Sequence, residues 1–309
     1  MNIDLIQEVP QLEQGTPPFL CRYRKVNKST LDALKQGKLF FSTPKYFNDP
    51  FDSVAYLDED KLIRSVTAQI ENGIRTGYVP KSSIVKLPDD VAKNILKGFN
   101  NIEYRQAFFC RIRKEASKLR SCVRNNTRVI CFSEACLSTL MWTHYADEHK
   151  GFELVYDYEM LKKAASYNND NKIIKDKTIL GKVEYYSCIP DRGQLFFDVL
   201  PDQMNPFHRS RMTQSFYQQL LFVKLKEWAY EKEWRLCVAG EDILIKNQAS
   251  YLQIDPVAIF LGVRMNPEDK KHICEIAKER NIVVFDVFAD DTTHHYTLNI
   301  KETNPNSWR

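Results

Sequence analysis

The chain has 309 residues, 44 Lys and Arg against 40 Asp and Glu, and 43% hydrophobic against 27% charged residues, the make-up of an ordinary globular protein and not of a disordered or fibrous one. That length excludes a small disulfide-stapled fold and suits one large domain or two modest ones. A formal charge of +4 is too near neutral to argue for nucleic acid unless basic residues cluster locally.

No apolar run approaches the roughly 20 residues that cross a bilayer, and MNIDLIQEVPQLEQG carries acids where a secretory signal has a basic and then an apolar stretch. We therefore expect a cytoplasmic protein without a membrane partner. The eight cysteines (Cys21, Cys110, Cys122, Cys131, Cys136, Cys188, Cys237 and Cys274) show no C-x-x-C pair and no zinc-type spacing. They read as buried, reduced thiols, and no metal is expected.

Residues 1–18 are polar and end in Thr16-Pro17-Pro18, an extended lead-in. FLCRYRKV then alternates as a short strand, with Leu20, Arg22 and Arg24 on one face and Cys21, Tyr23 and Lys25 on the other. Asn27 to Ser29 can cap a helix over Thr30–Gln36 that Gly37 stops, and KLFFST follows as a second strand. PKYFNDPFDS (44–53) predicts a structured loop held by Phe47 and Phe51. Leu62, Val66, Ile70 and Ile74 recur at helical spacing before a Gly/Pro-containing connection near 77–88. Between Val91 and Arg124, Phe109, Ile112, Ala116, Leu119 and Val123 give another helical stripe.

VICFS is a strand, SEACLSTLMWTHYADEHKG a helix capped near Ser133 and ending at Gly151, and FELVYD the next strand. After a polar loop over 165–180, GKVEYYS (181–187) reads as a strand and Met212–Val223 as a helix, leading into WAYEKEWRLCVAG. VAIFLGV (257–263), a helix opened by Asn266-Pro267-Glu268, and NIVVFDVF (281–288) form a βαβ-like unit. The fold expected is α+β: a mixed, mainly antiparallel core sheet with flanking helices, one domain over 19–300, a helical insertion at about 58–127, and a loose tail at 301–309.

Titratable groups stand where apolar strands end. Arg22 and Arg24 can grip phosphate or carboxylate through paired donors, or simply lie exposed on an edge strand. Ser133 closes VICFS, where a helix cap and a ligand contact are compatible roles. YEKEWRL, read as a half-buried strand, puts Glu231, Glu233 and Arg235 on one side and Trp234, Leu236 and Val238 on the other, so that two carboxylates project together. His144 and His149, five apart on one helix, point away from each other and cannot share an ion through it, whereas His144 and Glu148 are i,i+4 neighbours suited to a hydrogen bond. Asn48, Asp49 and Asp52 suit either turn chemistry or a hard cation. Arg105, Arg111, Arg113, Lys114, Lys118, Arg120, Arg124 and Arg128 face only Glu115 among acids between Arg105 and Arg128. This basic helix face either is solvated or steers a nucleic-acid or protein acceptor.

LCRYR, KLFFSTPKYFNDPFDS, ICFSE, LMWTHYADEHKGFELVYD, KVEYYS, KEWAYEKEWRL and IFLGV occur in that order from about residue 20 to 265. On them the chain resembles the bacterial domain-of-unknown-function family numbered 2971, with FNDPFD, MWxHYAxxHxG and ExEWR as landmarks; the family carries no established reaction. More distantly, the order Arg22 or Arg24, Ser133, then Glu231-Lys232-Glu233 is similar to ADP-ribosyltransferases, where an Arg or His, a Ser and a Glu meet around NAD. The usual S-T-S run is missing here.

That similarity implies an NAD-using transferase or glycohydrolase, with a place in bacterial defence or stress response: Glu233 stabilises the developing ribosyl cation beside Glu231, Arg22 or Arg24 holds the diphosphate, Ser133 positions the ribose, and Trp142 or Tyr145, next to His144, stacks on a ring. The alternatives are a non-enzymatic nucleotide- or partner-binding sensor, and a metal-dependent phosphodiesterase built on Asp49, Asp52 and Glu233. We further expect the Asn48–Asp52 loop to neutralise Arg22 or Arg24, and the Arg105–Arg128 stretch to lie outside the core.

Overall fold

The computed structural model describes residues 16–76, 89–166, 178–199, 214–238, 251–292 and 294–303. Most of the expected lead-in, the connection near 77–88, most of the 165–180 loop and the final residues of the tail lie outside them. The first part of the chain forms β1 (Phe19–Arg24), α1 (Lys28–Gln36), β2 (Lys38–Phe40), α2 (Glu59–Thr76), α3 (Asp89–Gly98) and α4 (Ile102–Asn126). The middle forms β3 (Arg128–Ser133), α5 (Thr139–Tyr145), β4 (Phe152–Asp157), α6 (Tyr158–Ser166), β5 (Thr178–Lys182), β6 (Glu184–Tyr186) and α7 (Gly193–Asp198). Then come α8 (Gln214–Leu221), β7 (Val223–Leu225), β8 (Glu233–Val238), β9 (Tyr251–Gln253), β10 (Ala258–Leu261), α9 (Pro267–Glu279), β11 (Val283–Asp290) and β12 (Thr297–Glu302).

Eight strands make one sheet in the order β12-β11-β10-β4-β1-β3-β8-β5, antiparallel except for β10 beside β11. The parallel pair is joined by α9, whose Asn266 side chain caps the helix ahead of Pro267, so the βαβ unit forms where its caps place it. The fold is therefore α+β with a mainly antiparallel sheet. β12 runs to Glu302, which draws residues 301 and 302 out of the expected tail and into the sheet.

Period-two alternation splits the apolar residues into two layers. On one face Leu20, Ile130, Phe132, Leu154, Trp234 and Leu236 pack with Leu34 of α1, Leu161 of α6 and Ile273 of α9. On the other, Cys21, Tyr23, Val155 and Phe260 pack with Met141 and Trp142 of α5, while Val129 and Cys237 meet Val123 of α4 and Phe216 of α8. β8 is buried along its whole length, not half-buried, because both layers cover it.

Among the described residues the helical insertion is three helices. The stretch expected as one helix from Val91 breaks at residues 99–101, where the Asn101 side chain accepts from Tyr104 N at 2.9 Å and starts α4 anew. Leu62, Val66 and Ile70 of α2 meet Phe109 and Ile112 of α4, with Phe197 of α7 in the same cluster. The basic helix is thus anchored: Val123 packs on the sheet, and Arg128 already belongs to β3. The segment is not detached from the core as expected, and two of its charges, Arg105 and Arg113, pair with Asp60 and Glu59 of α2.

One irregularity governs the rest. β1 and β3 are registered at a single pair, Cys21 with Ser133, whereas β1 pairs with β4 over six residues. Further along β3 its place opposite Val129 is taken by Ser42, which exchanges both backbone bonds with it at 2.8 and 2.9 Å. Between those two ties the sheet is open.

Candidate functional site

The opening is a cavity of about 460 Å³ whose wall includes Arg22 and Arg24 of β1, Cys131 and Ser133 of β3, Asp52, Tyr145, Lys224, Glu231, Glu233 and Arg235. Strand alternation puts Arg22 and Arg24 on the face of Leu20, and Glu233 and Arg235 on the face of Ser133 and Cys131, their directly paired neighbours. Groups from opposite faces share one space only because the sheet is split there. Since Val129 turns its N–H and C=O toward Ser42, Cys131, two residues on, turns its own toward the same gap.

One wall carries an ion network. The Arg235 guanidinium is buried and all five of its N–H groups are taken: Nη1 donates to Asp52 Oδ1 at 3.0 Å and to the Leu221 carbonyl at 2.5 Å, Nη2 to Asp52 Oδ2 at 2.5 Å and Glu233 Oε2 at 3.1 Å, and Nε to Glu233 Oε1 at 2.7 Å. The Phe47 ring covers it. Lys224 Nζ, also buried, donates to Glu231 Oε2 at 2.5 Å and Glu233 Oε2 at 3.2 Å. The two glutamates come together through local backbone: a 3-10 turn over Lys226–Glu231 ends on Lys232 at φ 42°, after which β8 begins. Glu233 N donates to the Tyr185 hydroxyl at 2.8 Å, which fixes its position further.

These contacts divide the two acids. Burial opposes ionisation of Glu233, but the Arg235 and Lys224 charges outweigh it and hold the carboxyl down at about 2. Burial, and then the neighbouring Glu233 charge, outweigh Lys224 at Glu231 and raise it above the usual carboxylate range. The Tyr145 hydroxyl donates to Glu231 Oε1 at 2.5 Å and accepts from Asn48 Nδ2 at 3.3 Å. Burial disfavours the Lys224 charge, yet Glu233 and Glu231 more than restore it.

The opposite wall is bare. Among the described residues neither Arg22 nor Arg24 meets an acid, and Arg22 Nη1 is buried without any hydrogen-bond partner. Burial and then the adjacent Arg24 charge lower Arg22 to about 9, and burial lowers Arg24 as well. A cationic pair turned into a cavity with no acid in contact with it among the described residues favours an anionic ligand with several oxygen acceptors.

Several expectations change. The loop acids do not neutralise Arg22 or Arg24: Asp52 is bound to Arg235, and Asp49 is buried beside its own loop, accepting from Phe51 N at 2.8 Å. With Asp52 and Glu233 sharing one guanidinium and Asp49 off the cavity wall, the three do not form the metal-ligand set of the phosphodiesterase reading. Trp142 is a core residue, fully buried, with its ring parallel to His149 and edge-on to Tyr23, so it cannot stack on a ligand.

Ser133 does not cap α5; Ser138 does. The Ser133 hydroxyl donates to the Glu231 carbonyl at 2.5 Å and accepts from Ala135 N at 2.9 Å, tying β3 to the acidic turn. The helix expected to reach Gly151 stops at Tyr145, and Asp147, Glu148 and His149 run at φ 51°, 54° and 70°. Glu148 is therefore not on the helix with His144. That corner is packed backbone on backbone: a Cβ on Gly151 would meet the Arg24 carbonyl oxygen at 2.1 Å. Cys21 and Cys136 are joined in a disulfide, which corrects the reading of all eight cysteines as reduced.

Of the residues singled out in the sequence, the cavity brings together Arg22, Arg24, Asn48, Asp52, Ser133, His144, Tyr145, Glu231 and Glu233. Two members were missed. Lys224 had a signal, a lone cation inside the apolar run LLFVKL, where a buried charge demands acid partners. Arg235 was placed beside the acids but not as their counter-ion.

Among the described residues no helix is long and apolar enough to cross a membrane. No curated protein and no solved structure matches the chain. Residues 141–236 match the family described as Protein of unknown function (DUF2971), a segment that runs from α5 to β8 and supplies Tyr145, Lys224, Glu231, Glu233 and Arg235 to the cavity. Over that segment the chain is similar to the DUF2971 family.

Proposed function

We propose that the cavity binds the diphosphate of a nucleotide such as NAD and that the chain is an NAD-using transferase or glycohydrolase of ADP-ribosyltransferase type. The observation that carries this reading is the pair of uncompensated arginines, Arg22 with an orphaned Nη1, across one cavity from an ionised buried carboxylate, Glu233. Cleaving the nicotinamide–ribose bond builds positive charge on the ribose, and a fixed anion lowers the cost of that charge. Glu233 serves as that anion. Arg22 and Arg24 hold the diphosphate through paired donors, and Tyr145 and His144 offer rings at the wall. The exposed basic residues of α4, Arg111 and Lys114 among them, form the surface that meets a nucleic-acid or protein acceptor.

A second reading has its own support: both Glu233 oxygens are already engaged by Arg235 and Lys224, the arrangement of a structural ion network, and this favours a module that binds a nucleotide without turning it over. Calorimetry with ADP and NAD, run beside a nicotinamide-release assay, separates the two. Binding with release supports the transferase, with Glu233→Gln lowering turnover at least about 100-fold and affinity far less. Binding without release leaves the sensor, and absence of binding overturns both.

A further inference from the structure

The single registered pair that joins β1 to β3 is also the site of a covalent tie. Cys21 is the β1 member of that pair, and Cys136 lies three residues past its β3 partner Ser133. The disulfide spans 115 residues of sequence and crosses from β1 to the turn that leaves β3. Side-chain bonds reinforce it: the Tyr23 hydroxyl donates to the Ala135 carbonyl at 2.5 Å and accepts from Ser138 N at 3.1 Å. Cys21 itself is on the cavity wall.

Beneath the two sulfurs sits Glu153 of β4, fully buried, with a carboxylate oxygen within 4.8 Å of both. Among the described residues no cation pairs with it; Leu137 N donates to its two carboxylate oxygens at 3.3 and 3.4 Å, and the Tyr23 hydroxyl and the Trp142 indole face it. Burial raises its carboxyl to about 8, so it carries a proton at neutral pH. Nothing in the nucleotide reading uses this acid.

We propose that the Cys21–Cys136 disulfide is a clamp on the cavity that a dithiol reductant opens, with Glu153 as its proton donor. Cys136 is the more exposed sulfur-bearing residue and is the one attacked. A reductant thiolate bonds to Cys136 Sγ, the S–S bond breaks, and the Cys21 thiolate leaves with the electron pair and takes the Glu153 proton. The second reductant thiol then loses its proton and attacks the mixed disulfide, expelling the Cys136 thiolate, and the two protons that the reductant has given up to solvent protonate Cys136 and restore Glu153. The sum is protein disulfide plus dithiol giving protein dithiol plus cyclic disulfide. With the covalent tie gone, that end of the split is held by one backbone pair, the Tyr23 bonds and the Leu137–Glu153 contact, and the walls bearing Arg22 and Ser133 separate more readily.

That the clamped space receives a nucleotide rests on the reading above; that the clamp opens does not, and two readouts keep the claims apart. Hydrogen exchange of the amides in 22–24 and 129–133, on the whole protein without ligand, is expected to quicken roughly tenfold after dithiothreitol. The Cys136→Ser variant should exchange like the reduced protein. ADP affinity should fall about tenfold on reduction. Unchanged exchange in both the reduced protein and Cys136→Ser overturns the clamp, whatever ADP does. Faster exchange with no ADP binding to the oxidised protein keeps the clamp and removes the nucleotide. Glu153→Gln should retain the disulfide but slow its reduction at least about tenfold; reduction at the wild-type rate overturns the role of Glu153.

Discussion

Arg235 and the pair Arg22 and Arg24 are the same side chain, buried along the same cavity and provided for in opposite ways. Arg235 has an acceptor for each of its five N–H groups and two carboxylates for its charge. Arg22 has an orphaned nitrogen and no acid. The first arrangement is what a folded chain needs in order to bury a cation at all. The second is tolerable only beside solvent or a ligand that supplies the missing oxygens. A buried guanidinium that the protein fully satisfies is part of the framework, and one that it leaves bare is the candidate for contact with a ligand.

The comparison breaks first at Arg235. Arg235→Met strands Asp52 and Glu233 as buried carboxylates, and about 3–5 kcal/mol of stability should be lost in chemical denaturation. If Arg22→Met costs as much, the two arginines are not different in kind. The second test is affinity: Arg22→Gln should weaken ADP binding about 10- to 100-fold, the worth of charge-assisted bonds to a phosphate, while leaving the denaturation midpoint near that of the wild type. A loss of fold without a loss of binding reverses the assignment.

A third test uses pH and a buried acid that lacks a cation. Glu153 is raised to about 8 from an ordinary value near 4.5, so the folded state holds a proton that the unfolded state releases. Its contribution is fully present below about pH 4.5 and is lost as pH rises toward 8, with a slope of at most about 1.4 kcal/mol per unit. Glu153→Gln should flatten the stability curve over that window. Glu233, held down at about 2, contributes in the opposite sense: its stability is present above about pH 4.5 and lost as pH falls toward 2. The smallest effect belongs to the surface. Arg113→Glu breaks the exposed pair with Glu59, and the unfolding free energy should change by less than about 1 kcal/mol; a larger loss would make this arginine a framework residue too.

The strands that bound the cavity were legible because each couples an apolar alternation to polar residues at its end, as FLCRYR, VICFS and EWRLCV do. So was the meeting of Arg22, Ser133 and Glu233 around one space. Which cation serves which acid was not, since Asp52 and Arg235 are 183 residues apart and no local pattern links them. The disulfide was hidden for the same reason: Cys21 and Cys136 have no spacing signal, and only the registration of β1 on β3 brings them together. The left-handed corner after α5 escaped because Asp147, Glu148 and His149 are not the glycines that such angles favour. Backbone packing imposes it, and side-chain periodicity reports none of that.

The split between β1 and β3 also has a mechanical meaning. Five strands stand on one side of it and three on the other, so the sheet behaves as two stiff panels on a short hinge. Bending of the sheet is expected where the fewest bonds resist it, along the open stretch of β3 between Ser133 and Val129. A ligand bridging Arg22 on one panel and Glu233 on the other would act as a brace across that stretch, and the stiffness of the whole sheet would rise with occupancy of a single site.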